Sequence, residues 1–170
     1  ARRAMALCLI AGLAMGWERN NFNNIVKQYS VQTAFSPYEM AFLRDENPDE
    51  QHTINLVWRI EAYTALLWSL GLIDTLPPVD RTVDVPSVTA IMQERSRDDF
   101  ITQAQRRPTN QILDALDLHY RYAWALQENR LQRRPPPDGL EPGVVFERCH
   151  ALLWVIRDHD LDWDQVQVHT

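Results

Sequence analysis

Four charged side chains interrupt two stretches of sequence that are otherwise largely apolar. Arg59 and Glu61 lie in the run 57–73, and Glu147 and Arg148 lie near the end of the chain, in 143–156. Because successive helical residues point about 100° apart, Arg59 and Glu61 face different sides and cannot pair with each other. Arg148 falls at the centre of the apolar arc of its own helix. A buried charge without a partner is costly, so each group needs water or a partner on another helix.

A third helix is predicted over 108–131, with Leu113, Leu116, Tyr120, Ala123 and Trp124 on its apolar face, and it carries charges along one edge of that face. His119 on this helix is expected to be partly exposed. Asp117 and Arg121 are four residues apart and could pair directly, worth roughly 0.3–0.5 kcal/mol if exposed. We therefore predict one interhelical polar cluster. Its members are Arg59, Glu61, Asp117, Arg121 and Arg148, with Asp114 and Glu147 beside them. The surplus of guanidiniums leaves positive charge for Asp114, Glu147 or an anionic ligand. A network that fixes helix register is the favoured interpretation, and an anion or active site and a protein-binding epitope stay open.

The sequence contains no complete motif for metal, cofactor or nucleophilic chemistry. Glu147 and His150 have the i, i+3 spacing of half a di-iron site, but a second Glu-x-x-His is missing. There is no G-x-S-x-G elbow, and with five glycines there is no phosphate-binding loop. Cys8 and Cys149 fall in apolar runs and are expected to be buried free thiols. We expect no metal and no cofactor.

The elements that must position these charges are almost all helical. Apolar spacing, caps and prolines predict helices over about 4–17, 21–33, 37–43, 48–72, 86–96, 97–104, 108–131 and 142–157. The helix over 37–43 has the clearest start signal, with Ser36 as cap, Pro37 at the first helical position and Glu39 completing a capping box. The run 57–73 is apolar around nearly its whole circumference, so the helix over 48–72 should be the buried centre. The tail 160–170 should dock through Trp163. The fold class is therefore all-α, one compact domain of about seven or eight helices over residues 1–170.

Composition narrows the classes of partner. At 170 residues and a formal net charge of −6, the chain can bury a core, lacks the basic balance of a nucleic-acid binder and suits a basic protein partner. Arg2, Arg3 and the apolar run 4–17 look superficially like a signal peptide. The run is shorter than the roughly 20 residues that span a bilayer, so we favour a core helix of a cytoplasmic protein over a retained export signal.

Four segments resemble a known bacterial family. They are WRIEAYTALLWSLGLIDTLP, QILDALDLHYRYAWA, GVVFERCHALLWVI and DWDQVQVHT, and in type, order and spacing they are similar to domain of unknown function 4272. RRAMALCLIAG and SPYEMAFL extend the likeness over essentially the whole chain. Matching positions are Trp58, Arg59, Glu61, Trp68, Gly71, Asp114, Asp117, Arg121, Trp124, Glu147, Arg148 and Trp163. Cys149 and His169 depart from the family pattern, which weakens a metal or catalytic role for either.

The resemblance implies a small, mostly helical, soluble bacterial protein, and it carries over no activity. We expect a non-enzymatic protein–protein interaction module, with an immunity-like or antitoxin-like role as one form of it. The alternative is an enzyme or small-anion-binding protein that uses the Arg/carboxylate cluster. A pocket that reaches Arg59, Arg121 or Arg148 would favour the alternative, whereas complete pairing of these groups in a dry core would favour a structural role. The sequence does not predict the oligomeric state.

Overall fold

The computed structural model describes residues 1–156 and 162–169, and all regular structure within these ranges is helical. The nine α-helices are α1 Arg2–Ala14, α2 Arg19–Tyr29, α3 Pro37–Arg44, α4 Glu50–Val57, α5 Arg59–Ser69, α6 Val85–Gln93, α7 Arg97–Gln103, α8 Thr109–Leu131 and α9 Pro142–Ile156. Two short 3₁₀ turns cover Gln32–Ala34 and Trp163–Gln165. No strand occurs in the described ranges. The predicted all-α class is confirmed.

The core is built around α5, which packs against α1 and α9, while α8 packs against α9. Residues Ala4–Ala11 of α1 have no exposed surface, so the interpretation of the first apolar run as a core helix is confirmed. Both cysteines are buried free thiols, as expected. Within the described ranges, no helix combines the length and the apolar character needed to cross a membrane.

The predicted central helix over 48–72 is divided in two. Trp58 separates α4 from α5, and the N–H of Glu61 bonds to the Trp58 carbonyl oxygen across a tighter, three-residue step. Every residue from Ile60 to Ser69 is buried, whereas α4 buries only Leu56. The all-round apolar pattern therefore correctly located the centre, but only for α5. Gly71, at φ +67°, ends this element in a left-handed conformation that favours glycine.

The orientation of α8 differs from the prediction. Leu113 and Trp124 were expected to pack inward with Leu116, yet 45% and 60% of their surfaces are exposed. His119, expected to be partly exposed, is buried. The buried line runs through Ile112, Leu116, His119, Ala123 and Leu126. The buried face is therefore rotated by about 70° from the predicted one, because it includes His119, which the prediction treated as a polar residue.

Local signals placed several helix starts correctly. The predicted capping box at Ser36 is present, since Glu39 N–H donates to Ser36 Oγ and Ser36 N–H donates to Glu39 Oε2. Asp49 caps α4 by accepting from His52 N–H at 2.7 Å. Trp163 is 4% exposed, which confirms that the tail docks through this ring. The predicted end of the last helix at Arg157 lies outside the described residues, as does part of the tail.

Candidate functional site

The charges predicted to form one cluster separate into three pairs. Glu61 pairs with Arg148, Arg59 pairs with Glu147, and Asp117 pairs with Arg121. Asp114 is exposed on α8. The prediction that Arg59 and Glu61 find partners on another helix is therefore correct, and both partners lie on α9. The prediction of a single cluster that includes α8 is wrong.

The Glu61–Arg148 pair is completely buried, with no exposed surface on either side chain. Arg148 Nε and Nη2 donate to Glu61 Oε2 at 3.0 and 2.8 Å, and Nη1 donates to the backbone carbonyls of Pro77 and Pro78. Glu61 Oε1 accepts from Val83 N–H at 2.8 Å. Burial lowers the pKa of Arg148, and the Glu61 carboxylate opposes this shift. The pair thus ties the loop 77–83 to α5 and α9 and engages every nitrogen of Arg148.

The Arg59–Glu147 pair lies at the edge of the core rather than inside it. Arg59 Nη1 donates to both carboxylate oxygens of Glu147, at 3.1 and 3.0 Å. The two side chains are 13% and 18% exposed. Burial raises the pKa of Glu147, and the charge of Arg59 and its hydrogen bonds oppose the rise. This pair, unlike Glu61–Arg148, can be reached from solvent.

The Asp117–Arg121 pair is a surface feature. Arg121 Nε donates to Asp117 Oδ2 at 2.8 Å, and the side chains are 75% and 63% exposed. The predicted i, i+4 pairing is confirmed, but α8 turns this edge toward water. Such exposed pairs contribute little to stability.

A further buried pair joins Arg3 to Glu39. Arg3 Nη1 and Nη2 donate to the two carboxylate oxygens of Glu39 at 2.7 and 2.6 Å, and Nη1 also donates to Ala34 O at 2.8 Å. Sequence reasoning missed this pair, because Arg3 resembled the basic start of a signal peptide and Glu39 was assigned to the capping box alone. The sequence did contain a signal for this pair. Arg3 is a charged residue at the start of a helix that is otherwise apolar on all sides, so it needs a partner.

The Trp163 ring lies next to the guanidiniums of both Arg3 and Arg59. The Cζ atoms of these residues are 4.3 and 5.8 Å from the centroid of its ring, distances at which a guanidinium interacts favourably with an aromatic face. The His150 ring is 4.6 Å from the Trp163 ring, centroid to centroid. Burial and the neighbouring Arg59 and Arg3 charges lower the pKa of His150 to about 4. A hydrogen bond to the Trp163 backbone favours the protonated ring and opposes this shift. The imidazole is therefore neutral at neutral pH.

An open cleft of about 450 Å³ lies beside this arrangement, and we call it the polar cleft. Its polar lining is contributed by α3, α4, α5, α9 and the 3₁₀ turn at Trp163–Gln165, through Tyr38, Asn55, Arg59, Glu147, His150 and Asp164. Tyr38 N–H donates to Asp164 Oδ2 at 2.9 Å, and Asn55 Nδ2 donates to Tyr38 Oη at 3.0 Å. Convergence of ionisable groups with shifted pKa values in one cleft is typical of binding sites.

The described residues contain neither a metal-ligand cluster nor a reactive thiol. No group of three or more His, Cys, Asp or Glu side chains there is arranged to hold a metal ion. Burial raises the pKa of both Cys8 and Cys149 to about 12, so both thiols stay protonated and are poor nucleophiles. Carboxylates, one guanidinium and a neutral imidazole remain, and these groups recognise polar or charged ligands.

A second surface feature is the exposed side of α8. Leu113, Trp124 and Leu131 are 45%, 60% and 70% exposed, and we call them the α8 stripe. Steps of 11 and 7 residues keep the three side chains within about 20° of one line. At a rise of 1.5 Å per residue, the stripe extends about 27 Å along the helix. Aligned exposure of large apolar side chains is typical of contact surfaces.

These features define an all-α protein with ion pairs at and near its centre, an open polar cleft and an apolar stripe on its longest described helix. The chain belongs to the family described as domain of unknown function (DUF4272), whose model matches residues 1–166. The resemblance found in the sequence is thus confirmed, and it covers nearly the whole chain. No curated protein and no solved structure shows a significant match. The family description assigns no activity.

Proposed function

We propose that the chain is a protein–protein interaction module of the bacterial cytoplasm and that the α8 stripe is its contact surface. The observation that carries this proposal is the alignment of Leu113, Trp124 and Leu131, all strongly exposed, on one side of α8. Single exposed apolar residues are normal on soluble proteins, but here three large ones, a tryptophan among them, share one side of a helix. Tryptophan is also the residue type most enriched among those that dominate binding energy.

The proposed occupant is a basic protein. The chain carries a formal charge of −6. Asp114 and Asp117 lie next to the stripe on the same helix and are exposed. A partner with apolar contacts flanked by Lys or Arg would match both features, and complementary charge would accelerate association. An immunity-like role, in which this small acidic protein binds and neutralises a basic partner, is one form of the proposal.

The test compares a stripe variant with a matched surface variant. The stripe variant combines Leu113→Ser, Trp124→Ser and Leu131→Ser, and the control is Ile54→Ser, which changes an apolar residue that is 41% exposed on α4. Both variants should fold, since surface substitutions usually change stability little. Each is used to capture proteins from lysate of the native bacterium. A photo-crosslinking residue is then placed at position 124 or at position 54.

We expect one basic protein to be captured in near-stoichiometric amount by the wild type and by Ile54→Ser, but not by the stripe variant. It should crosslink at position 124 and not at position 54, and added salt should weaken its binding. An acidic partner, or a partner retained by the stripe variant, contradicts the proposal. A wild-type dimer that the stripe variant abolishes would show that a second copy covers the stripe, which also contradicts it. If the wild type is strictly monomeric and captures no partner, the proposal is also contradicted.

The alternative of an anion-binding protein or enzyme draws its support from one observation, the position of Arg59 at the polar cleft. Arg148 donates only to Glu61 and to backbone carbonyls, and Arg121 donates to Asp117 on the surface. The support for this alternative therefore rests on Arg59, whose Nη1 is paired with Glu147 and whose buried Nε has no partner among the described residues.

A further inference from the structure

A groove of about 240 Å³ lies between α8 and the loop that follows α5, and we call it the His119 groove. Residues 76–79 form one wall, and Ala115, Leu118, His119 and Tyr122 of α8 form the other. At 100° per residue, these four side chains cover an arc of about 100° on α8. Exposure falls from 45% at Leu118 to 3% at His119, so the groove has its rim at Leu118 and its inner end at His119.

The loop wall of the His119 groove is apolar, because its backbone carbonyls are engaged elsewhere. The carbonyls of Pro77 and Pro78 accept from Arg148, whose buried pair with Glu61 holds the loop in place. The Val79 carbonyl accepts from a backbone N–H in the loop before α9 at 2.8 Å. The described lining residues of the groove include no Asp, Glu, Lys or Arg. A charged ligand would lose its hydration here without gaining a charged partner, so the lining favours an uncharged ligand.

His119 places a hydrogen-bond acceptor at the inner end of the groove. Its Nδ1 lies 2.8 Å from the backbone oxygen of Ala115, and since a carbonyl oxygen can only accept, Nδ1 carries the hydrogen. Burial lowers the pKa of His119, the hydrogen bond to Ala115 opposes this shift, and the Arg148 charge adds to it. The ring is therefore neutral at neutral pH, and Nε2 carries the lone pair. Nε2 is buried and has no partner among the described residues, so it calls for a donor.

The size and the polar groups of the groove suit one aromatic molecule better than water. A buried water makes about three hydrogen bonds, whereas the polar side-chain atoms of the described lining, besides the bonded Nδ1, are His119 Nε2 and the Tyr122 hydroxyl oxygen. An apolar cavity of about 150 Å³ holds a benzene molecule, and the His119 groove is larger. The His119 and Tyr122 rings stand edge to face with centroids 6.1 Å apart, an arrangement against which a further ring can pack.

We propose that the His119 groove binds a small phenol as a free molecule. A phenol is uncharged at neutral pH, and its O–H donates to His119 Nε2 while its ring lies between the loop 76–79 and the Tyr122 ring. The groove is large enough for one such molecule but not for a peptide segment. Leu118, at the rim, lies about 140° around α8 from Leu113 of the α8 stripe. The two sites are therefore independent, and either proposal can fail without the other.

The probes are phenol and anisole, in which a methyl group replaces the phenolic hydrogen. Binding to the full chain is followed by NMR of protein with isotope-labelled histidine, because the Nε2 resonance responds to a hydrogen bond that this nitrogen accepts. We expect saturable binding of phenol that shifts the Nε2 resonance of His119 and leaves that of His169, which is exposed, unchanged. Anisole is the more apolar molecule but cannot donate, so it should bind about fivefold or more weakly than phenol.

Variants separate the hydrogen bond from the apolar contacts. His119→Phe keeps a ring but removes the acceptor, so it should abolish the preference for phenol over anisole. Leu118→Ala removes apolar surface at the rim and should weaken binding of both ligands, whereas Ile54→Ala, a similar truncation of a residue 41% exposed on α4, should weaken neither.

The comparison of phenol with anisole uses the wild type, so it stands even if His119→Phe does not fold. Absence of saturable phenol binding at millimolar concentration would overturn the proposal. So would an unshifted Nε2 resonance, equal affinities for phenol and anisole, or equal effects of the Leu118 and Ile54 variants. Tighter binding of N-acetyltyrosinamide than of phenol would also overturn it, since the occupant would then be a tyrosine side chain of another protein.

Discussion

Replacing Arg148 with methionine is expected to destabilise the protein severely. The substitution removes both donors to Glu61 Oε2 and leaves a carboxylate with no exposed surface, whose remaining partner is Val83 N–H. Breaking a buried ion pair on one side costs about 3–5 kcal/mol. For a domain of this size each kcal/mol lowers Tm by roughly 2–4 °C, so the expected loss is about 6–20 °C.

The assay is thermal unfolding followed by circular dichroism, with denaturant unfolding for the free energy. Arg121→Met makes the same change in the exposed pair with Asp117 and should leave Tm nearly unchanged, because exposed ion pairs contribute little to stability. Adding Glu61→Gln to Arg148→Met removes the stranded charge and keeps an oxygen for Val83 N–H, so the double variant should recover most of the loss. An unchanged Tm for Arg148→Met, or a double variant no more stable than the single one, would refute the structural role.

Three further predictions concern pH, packing and thiol chemistry. Because the pKa of His150 is about 4 in the folded chain and 6.5 in the unfolded chain, the unfolded state binds more protons between these values. Stability should fall by up to about 3 kcal/mol as pH drops through this window, and His150→Gln should remove that fall in denaturant titrations. Gly143→Ala places a methyl carbon 2.5 Å from the Trp58 ring and should cost about 1–3 kcal/mol, but less in a Trp58→Leu background, as measured by a double-mutant cycle. Both cysteine thiols should resist a thiol-specific reagent in the native protein at neutral pH and react fully in denaturant.

Each of these measurements has an internal comparison. The pKa of His119 is also lowered by burial. His119→Gln should therefore reduce the pH dependence of the free energy of unfolding only by the part due to His119, and the part due to His150 should remain. The raised pKa of Glu147 works in the opposite direction, which is why the variants are compared with the wild type rather than with a flat baseline. Identical pH profiles for the wild type and His150→Gln, equal costs of Gly143→Ala in both backgrounds, or rapid native labelling would each contradict the structure.

The interhelical pairing of Arg59, Glu61 and Arg148 could be predicted from the sequence because it follows from helical periodicity. Residues two apart cannot pair on one helix, and apolar neighbours on the wheel exclude water, so partners on another helix were required. The structure supplies those partners from α9. The helix caps at Ser36 and Asp49 depend only on neighbouring residues, so they could also be predicted from the sequence.

What could not be predicted depends on how the helices are rotated against one another. The orientation of α8 is decided by which side meets α9, and its sequence offers apolar residues on more than one side. The Arg3–Glu39 pair and the polar cleft are formed by segments far apart in the chain, so local residue spacing does not predict them. The break between α4 and α5 involves only Trp58, and the apolar periodicity on either side continues through it, so the pattern does not reveal the break.

The contact between Arg3 and Trp163 joins two residues that are 160 positions apart in the chain. A ribosome releases the chain from its amino end, so α1 and the Arg3–Glu39 pair emerge long before the ring that lies against Arg3. Contacts of such wide sequence separation form late and slow folding. During synthesis, the guanidiniums of Arg3 and Arg59 and the imidazole of His150 are therefore expected to stay open to water until the turn that carries Trp163 has left the ribosome.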